Sequence, residues 1–281
     1  MKTHQNCFVL LAGVLVGILL IGGSAGAQVW EEWVARYNGP ISGEDAACSV
    51  ALDAWGNVYV TGYSNGGESG FDYATIKYDA AGVQQWVARY NGLGNNADEA
   101  TWLAVDADGN AYVTGWTSGT TTGSDYATIK YDSAGVEQWV AQYNGSGNTA
   151  DSAYSLALDA SGNVYVLGMS SSSCYTTLKY NFAGEQQWAV QHGADYYHPA
   201  PLVVDIEGNV YMAGTYYTWD PDYVTIKYNS SGVQQWSVFW NGWGTYMLTD
   251  FATSLAVDGE GSVYVTGSTW GASSHSDYGT V

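Results

Sequence analysis

Basic residues are scarce in this chain of 281 residues: 7 Lys and Arg stand against 27 Asp and Glu, for a formal net charge of −20. A surface so poor in cations repels phosphate backbones and anionic headgroups, so nucleic acid and membrane surfaces are excluded as expected partners. Neutral ligands, cations and basic proteins remain. Cysteine is scarce as well, at three. Cys48 and Cys174 fall at unrelated points of the chain's internal pattern, and a bridge needs alpha carbons within about 7 Å; both are expected to be thiols serving as small buried hydrophobes. A disulfide-stapled scaffold is thereby excluded, and stability must come from a packed core.

Long apolar runs are also missing, with one exception. Residues 8–21 carry no charge, follow Lys2 and His4, and end in the small residues Gly22–Ala27. The run is roughly 14 residues, short of the roughly 20 a membrane-spanning helix needs, and Ala25-Gly26-Ala27 fits a signal-peptidase site. Residues 1–27 are expected to be a secretory signal peptide, with no membrane insertion and a secreted mature protein. No Pro-rich or Ser-rich linker interrupts residues 28–281, so one domain is expected.

What the chain has in abundance is repetition. Trp33, Trp86, Trp139, Trp188 and Trp236 recur at intervals of 53, 53, 49 and 48 residues, a period in the range of propeller repeats. Each copy holds four short segments rich in Val, Tyr, Thr and Trp, separated by turn residues, and these read as strands. Two connections have fixed length. The Asp closing the SLALD-type segment precedes the Gly of the VYVTG-type segment by nine residues in every copy, as in Asp106 and Gly115, and Lys130 precedes Trp139 by nine. These are tight hairpins, with turns such as Asp106-Ala-Asp-Gly-Asn110 supplying an Asx cap and a glycine for positive φ. The other two connections vary in length, and in a meander both emerge on one face. Loops on a rigid scaffold carry binding, so the variable face is where a ligand is expected.

The strings DYATIKYD, QQWVARYNG and GNVYVTG resemble the SBBP-type beta-propeller repeat of exported bacterial proteins, over almost all of residues 30–281. The resemblance implies an all-β propeller of four-stranded blades with SLALD innermost and the Trp strand outermost, and it transfers no catalytic residue. Counting segments gives five blades, with residues 29–37 closing the last blade as its fourth strand. The alternative is a truncated piece of a larger ring, for which the family precedent is seven blades, because DYGTV (277–281) stops before the Lys that full copies carry.

Recurring residues are expected to be structural: the Trp packs between blades, and Lys77, Lys130, Lys179 and Lys227 pair with nearby acids. Asp45, Asp98, Asp151 and Asp250 each lie eight residues before the inner-strand Asp, at the channel mouth, with Tyr197 in the equivalent place of the fourth copy. Each either bonds its own loop backbone or joins the others around a calcium ion, whose oxygen preference suits clustered carboxylates. No other cofactor is expected. Ligand binding is expected where the repeat breaks, around the fourth blade: His192, Asp195, Tyr196, Tyr197 and His198; Tyr216, Tyr217, Trp219 and Asp220; and Trp243 and Tyr246. Aromatics flanked by carboxylates and imidazole stack on sugar rings and bond their hydroxyls. The expected role is a secreted, non-catalytic propeller that binds a protein or glycan partner. The alternative is a carbohydrate-active enzyme, glycosidase or lyase, with carboxylates in the central funnel.

Overall fold

Five antiparallel sheets follow one another along the chain in a computed structural model, which describes residues 31–121, 123–170, 174–192, 196–197, 201–216, 222–240, 250–270 and 276–281. Blade one is β1 (Asp45–Leu52), β2 (Val58–Gly67), β3 (Gly70–Tyr78) and β4 (Gln84–Tyr90). Blade two is β5 (Asp98–Val105), β6 (Ala111–Ser118), β7 (Ser124–Tyr131) and β8 (Glu137–Tyr143). Blade three is β9 (Asp151–Leu158), β10 (Val164–Ser170), β11 (Cys174–Tyr180) and β12 (Gln186–His192). In each the strands pair in chain order, the meander of a propeller blade.

Blade four breaks its innermost strand into two short pieces, β13 (Tyr196–Tyr197) and β14 (Val203–Val204), both paired to β15 (Val210–Tyr216); β16 (Asp222–Tyr228) and β17 (Gln234–Trp240) complete it. Blade five pairs β18 (Phe251–Val257), β19 (Val263–Trp270) and β20 (Ser276–Thr280). The innermost strands touch one another from blade to blade, β1 to β5 and β5 to β9. The outermost strands β4, β8, β12 and β17 are the most exposed, which sets the inside and outside of the arc.

The fixed hairpins follow from one side chain. Asp106 accepts the backbone N–H of Asp108 and Asn110 and the Asn110 amide, closing a turn whose Gly109 has φ +79°. Asp53, Asp159 and Asp205 do the same in their blades. Burial alone would raise these carboxyls, but the converging donors overcome it and hold Asp53, Asp159 and Asp205 below the ordinary range. A tyrosine two residues past each Asn, Tyr59, Tyr112, Tyr165 or Tyr211, donates its hydroxyl to that carboxylate. Burial, then the adjacent Asp, pushes the hydroxyls of Tyr59, Tyr112 and Tyr165 well up, so they stay donors.

The core lies between blades rather than within them. One cluster joins Tyr59 and Tyr73 of blade one to Ala100, Leu103, Val113, Ile129 and Tyr131 of blade two, and a second repeats the pattern between blades two and three. Trp86, Trp139 and Trp188 lean on the following blade and donate their indole N–H to Ser133, Phe182 and Ser230 carbonyls at 3.1 to 3.2 Å. The expected packing role of the Trp is what the structure shows. The lysines differ from expectation: Lys77, Lys130, Lys179 and Lys227 sit over the rings of Tyr59, Tyr112, Tyr165 and Tyr211 at 4.8 to 5.0 Å, a cation–π contact. Lys77 and Asp53 make the one lysine–carboxylate pair within reach among the described residues, at 4.0 Å. Cys48 is buried and Cys174 half-buried, and the two are not bridged to each other.

Residues 31–39 form no strand. The expected closing ladder between them and β20 is absent among the described residues; these residues lie against blade one, where Trp33 donates to Ala80 O at 3.2 Å as Trp86 does to Ser133 O. Strand-to-strand packing runs from each blade to the next, and among the described residues none comparable joins blade five to blade one.

Candidate functional site

The variable-loop face is built around a repeated clamp. Asp98 opens β5 fully buried and accepts three bonds: the Gly92 N–H of the incoming loop at 2.6 Å, the Thr117 hydroxyl at 2.5 Å and the Ser118 N–H at 2.9 Å. One carboxylate thus ties the loop, the inner strand and the end of β6. Asp151 takes the Gly145 N–H at 2.6 Å and Asp45 the Gly39 N–H at 3.1 Å. Glycine is required at the donor, since a Cβ on Gly92 would lie 1.7 Å from the Thr117 hydroxyl oxygen. Burial raises the Asp98 carboxyl above its ordinary value despite its donors, whereas the more accessible Asp45 is lowered: there the Ser64, Gly39 and Asn65 donors outweigh burial.

Asp45, Asp98 and Asp151 are therefore loop anchors, and Asp250, at the equivalent place of blade five, is buried. Among the described residues, no three His, Cys, Asp or Glu side chains lie close enough to hold a metal ion.

Blade four departs from this clamp at both ends. Tyr197 stands eight residues before Asp205, where Asp98 stands before Asp106, and Tyr216 follows Gly214 by two residues, where Thr117 follows Gly115. An aromatic pair thus replaces the carboxylate and its hydroxyl donor. Tyr196 and Tyr197, expected in a loop, form β13 and pair with Tyr216 and Thr215, extending the sheet toward the variable face. The Tyr216 ring meets Phe239 edge-on at 5.2 Å.

Phe239 carries the second departure. In other blades this position of the outermost strand is Arg89, Gln142 or Gln191, each of which donates to a tyrosine hydroxyl: Tyr37 of the segment before blade one, or Tyr90 or Tyr143 of the preceding blade. Phe239 cannot donate; it is 49% exposed beside exposed Val238. The sequence pattern did not single it out, although its break from Arg and Gln at a repeat position was the available signal.

His192 is placed differently from expectation. It occupies the repeat position of Tyr90 and Tyr143, its ring lies 5.2 Å from that of Tyr228 in the next blade, and burial lowers its pKa. It is a neutral, half-buried packing residue. Asp195, His198, Tyr217, Trp219, Asp220, Trp243 and Tyr246 lie outside the described residues.

The model of the SBBP beta-propeller repeat matches residues 85–124, 138–173 and 248–273, the first two of which hold Trp86 and Asp98 and Trp139 and Asp151. Over these three segments the chain carries SBBP beta-propeller repeats. The chain is also similar to regulatory protein FlaEY of Caulobacter vibrioides, at 31% identity over 169 residues, 53% of this chain. The chain corresponds to 17% of that protein's length. Among solved structures, the fold resembles a protein of unknown function from Dyadobacter fermentans, at TM-score 0.52 and 10% identity over 87% of this chain and 77% of the other. It also resembles the beta-propeller domain of the Trilobed protease from Pyrococcus furiosus, described as having an open velcro topology, at TM-score 0.50 and 7% identity over 83% and 68%. At such identities the likeness is one of fold.

Proposed function

We propose that this is an exported, non-catalytic binding propeller that engages a protein or glycan partner through the loop end of blade four. One observation carries the reading: the Asp–Thr clamp that fixes the loop end of blade two is replaced in blade four by Tyr197 and Tyr216, with Tyr216 edge-on to exposed Phe239. An exposed aromatic ring on a sheet, as at Phe239, suits sugar rings or an apolar peptide segment, and a net charge of −20 disfavours anionic ligands. The bonds accepted by Asp98 from Gly92, Thr117 and Ser118 support a structural role for the recurring acid rather than acid–base chemistry. FlaEY bears the description of a regulatory protein, which is in keeping with binding rather than turnover. No cofactor enters this reading.

The test is a glycan array and peptide display screened with the purified protein and with Phe239→Ala and Tyr216→Ala. Binding lost in both variants, with unchanged melting temperature and no product from glycoside substrates, is the expected result. Glycoside turnover abolished by Asp98→Asn would establish the enzymatic alternative instead.

A further inference from the structure

A polar cleft opens on the hairpin face where blades three and four meet. Its volume is about 340 Å³, and Asn163, Lys179, Gln187, Trp188, Ser230 and Ser231 line it. Asn163 ends the inner hairpin turn of blade three, Lys179 stands on β11, Gln187 and Trp188 on β12, and the two serines on the outer hairpin turn of blade four. The cleft thus lies at the opposite end of the strands from the variable loops.

A shared carbonyl fixes its wall. The Lys179 ammonium and the Trp188 indole both donate to Ser230 O at 3.2 Å, and Lys179 rests 5.0 Å over the Tyr165 ring. Gly232 packs on the indole, where a Cβ would come within 2.8 Å, and Tyr165 lies beside it at 6.0 Å. Trp188 is therefore a wall of the cleft and not a stacking platform.

The side chains around this wall differ from those at the earlier joints. Gln85 and Gln138 give their amides to Asp79 and Asp132 at 2.9 Å, besides a turn carbonyl. In blade three Asn181 stands in place of that aspartate and turns its own amide to Glu185 at 2.8 Å, so Gln187 keeps only the Glu185 carbonyl, at 3.0 Å. Ser231 stands where the earlier joints carry Ala134 and Ala183, and Ser230 where the second joint carries Phe182. Lys77 meets Asp53 at 4.0 Å, whereas among the described residues no carboxylate comes that near to Lys179.

We propose that this cleft is a second binding site, one that takes a neutral sugar residue. The set of donors and acceptors points to the class. Lys179 retains ammonium protons beyond its bond to Ser230, and Gln187 retains one amide proton. Asn163 commits its amide nitrogen to Asp159 at 2.7 Å, as Gln187 does to Glu185, which fixes the sense of both amides. Asn163 Oδ1 and Gln187 Oε1 are left as acceptors with no partner among the described residues, and the Ser230 and Ser231 hydroxyls bond nothing there either. Sugar hydroxyls donate and accept at once and match such a mixed set. A carboxylate or phosphate only accepts and would face the two amide oxygens, against a net charge of −20. An ammonium ligand would meet Lys179. None of the residues of the blade-four loop end enters this site.

Calorimetric titration of the purified protein with the methyl glycosides of glucose, galactose, mannose and N-acetylglucosamine, and with glucuronate, tests this. Saturable binding of at least one neutral glycoside is expected, with glucuronate weaker. Ser231→Ala, the residue type the earlier joints already carry, is expected to weaken binding about tenfold with an unchanged melting temperature, and Lys179→Met at least as much. Lys77→Met makes the same change at the joint of blades one and two and is expected to leave the affinity as it was, whatever it does to stability. Absence of binding by every neutral glycoside, preference for glucuronate, or binding that both cleft variants retain overturns the proposal. Binding lost in Tyr216→Ala but kept in Lys179→Met belongs to the loop end and overturns it as well.

Discussion

The indole of Trp33 donates to the Ala80 carbonyl at 3.2 Å and lies beside the Tyr78 ring at 5.9 Å, although Trp33 belongs to no strand. Trp86 makes the matching bond to Ser133 from within a complete sheet, between Tyr59 and Tyr131. The same side chain is thus anchored once by a hydrogen-bonded ladder and once by side-chain contacts alone. Removing a fully buried aromatic costs about 3–5 kcal/mol, and these rings are half-buried. Trp86→Ala is expected to cost about 2–4 kcal/mol in urea unfolding, and Trp33→Ala about half as much.

Glycine at the outer turns is fixed by its neighbour as well as by its backbone. Gly135 has φ +82°, and a Cβ there would sit 2.7 Å from the Trp86 ring; Gly261 has φ +85° with nothing within 4 Å. Left-handed backbone costs an L-residue roughly 1–2 kcal/mol. Gly261→Ala is expected to show that cost alone, and Gly135→Ala about 1–2 kcal/mol more, because the indole must move. Equal losses in the two variants would show that the indole gives way freely.

Acid should loosen the propeller in two stages. His192 has its pKa lowered by burial from 6.5, so the unfolded chain binds its proton first and stability falls as pH drops below 6.5. Asp53, Asp159 and Asp205 are held below 3.8, so their contribution is complete above that value and is lost as pH falls through their folded values. Asp98 runs the other way, its raised pKa favouring the protonated folded form. Melting temperature against pH is expected to decline modestly below 6.5 and steeply below 3.8, with His192→Tyr removing the first decline only.

Arg89 donates to the Asp72 carboxylate at 2.9 Å and to the Ser64 carbonyl and hydroxyl, and is partly buried in the joint with residues 33–37. Arg89→Met keeps the volume but leaves the buried Asp72 without this partner. A loss of about 1–3 kcal/mol is expected, and Asp72→Asn in the same background should recover part of it.

The strands and hairpins were legible because their signals are local: Asp-x-x-Gly-Asn turns, period-two Tyr and Val, and a Trp every 48 to 53 residues. The inter-blade role of Trp86 followed from its recurrence. Tyr59 and its equivalents were not singled out, since a strand tyrosine looks the same whether it faces solvent or, as here, threads one blade to the turn of the next. The lysines were read as partners of acids because charge invites that reading, while the ring beneath Lys130 comes from the adjacent strand, where register places Tyr112 opposite. At the candidate site the break in blade four was visible in Tyr197 and Tyr216, but Phe239 was not, because its significance rests on Gln142 reaching across to Tyr90. The docking of residues 31–37 depended on a partner far away in sequence, which no local pattern specifies.

Since Trp86 and Trp139 grip their neighbours by one geometry and Gln142 and Gln191 repeat one cross-blade bond, the joints on either side of blade two present matching surfaces. The gene can therefore gain or lose a unit by unequal recombination without any new interface having to evolve. A second in-frame copy of residues 92–144 placed after Asn144 should fold as an extra blade, each of its surfaces meeting the partner it already knows.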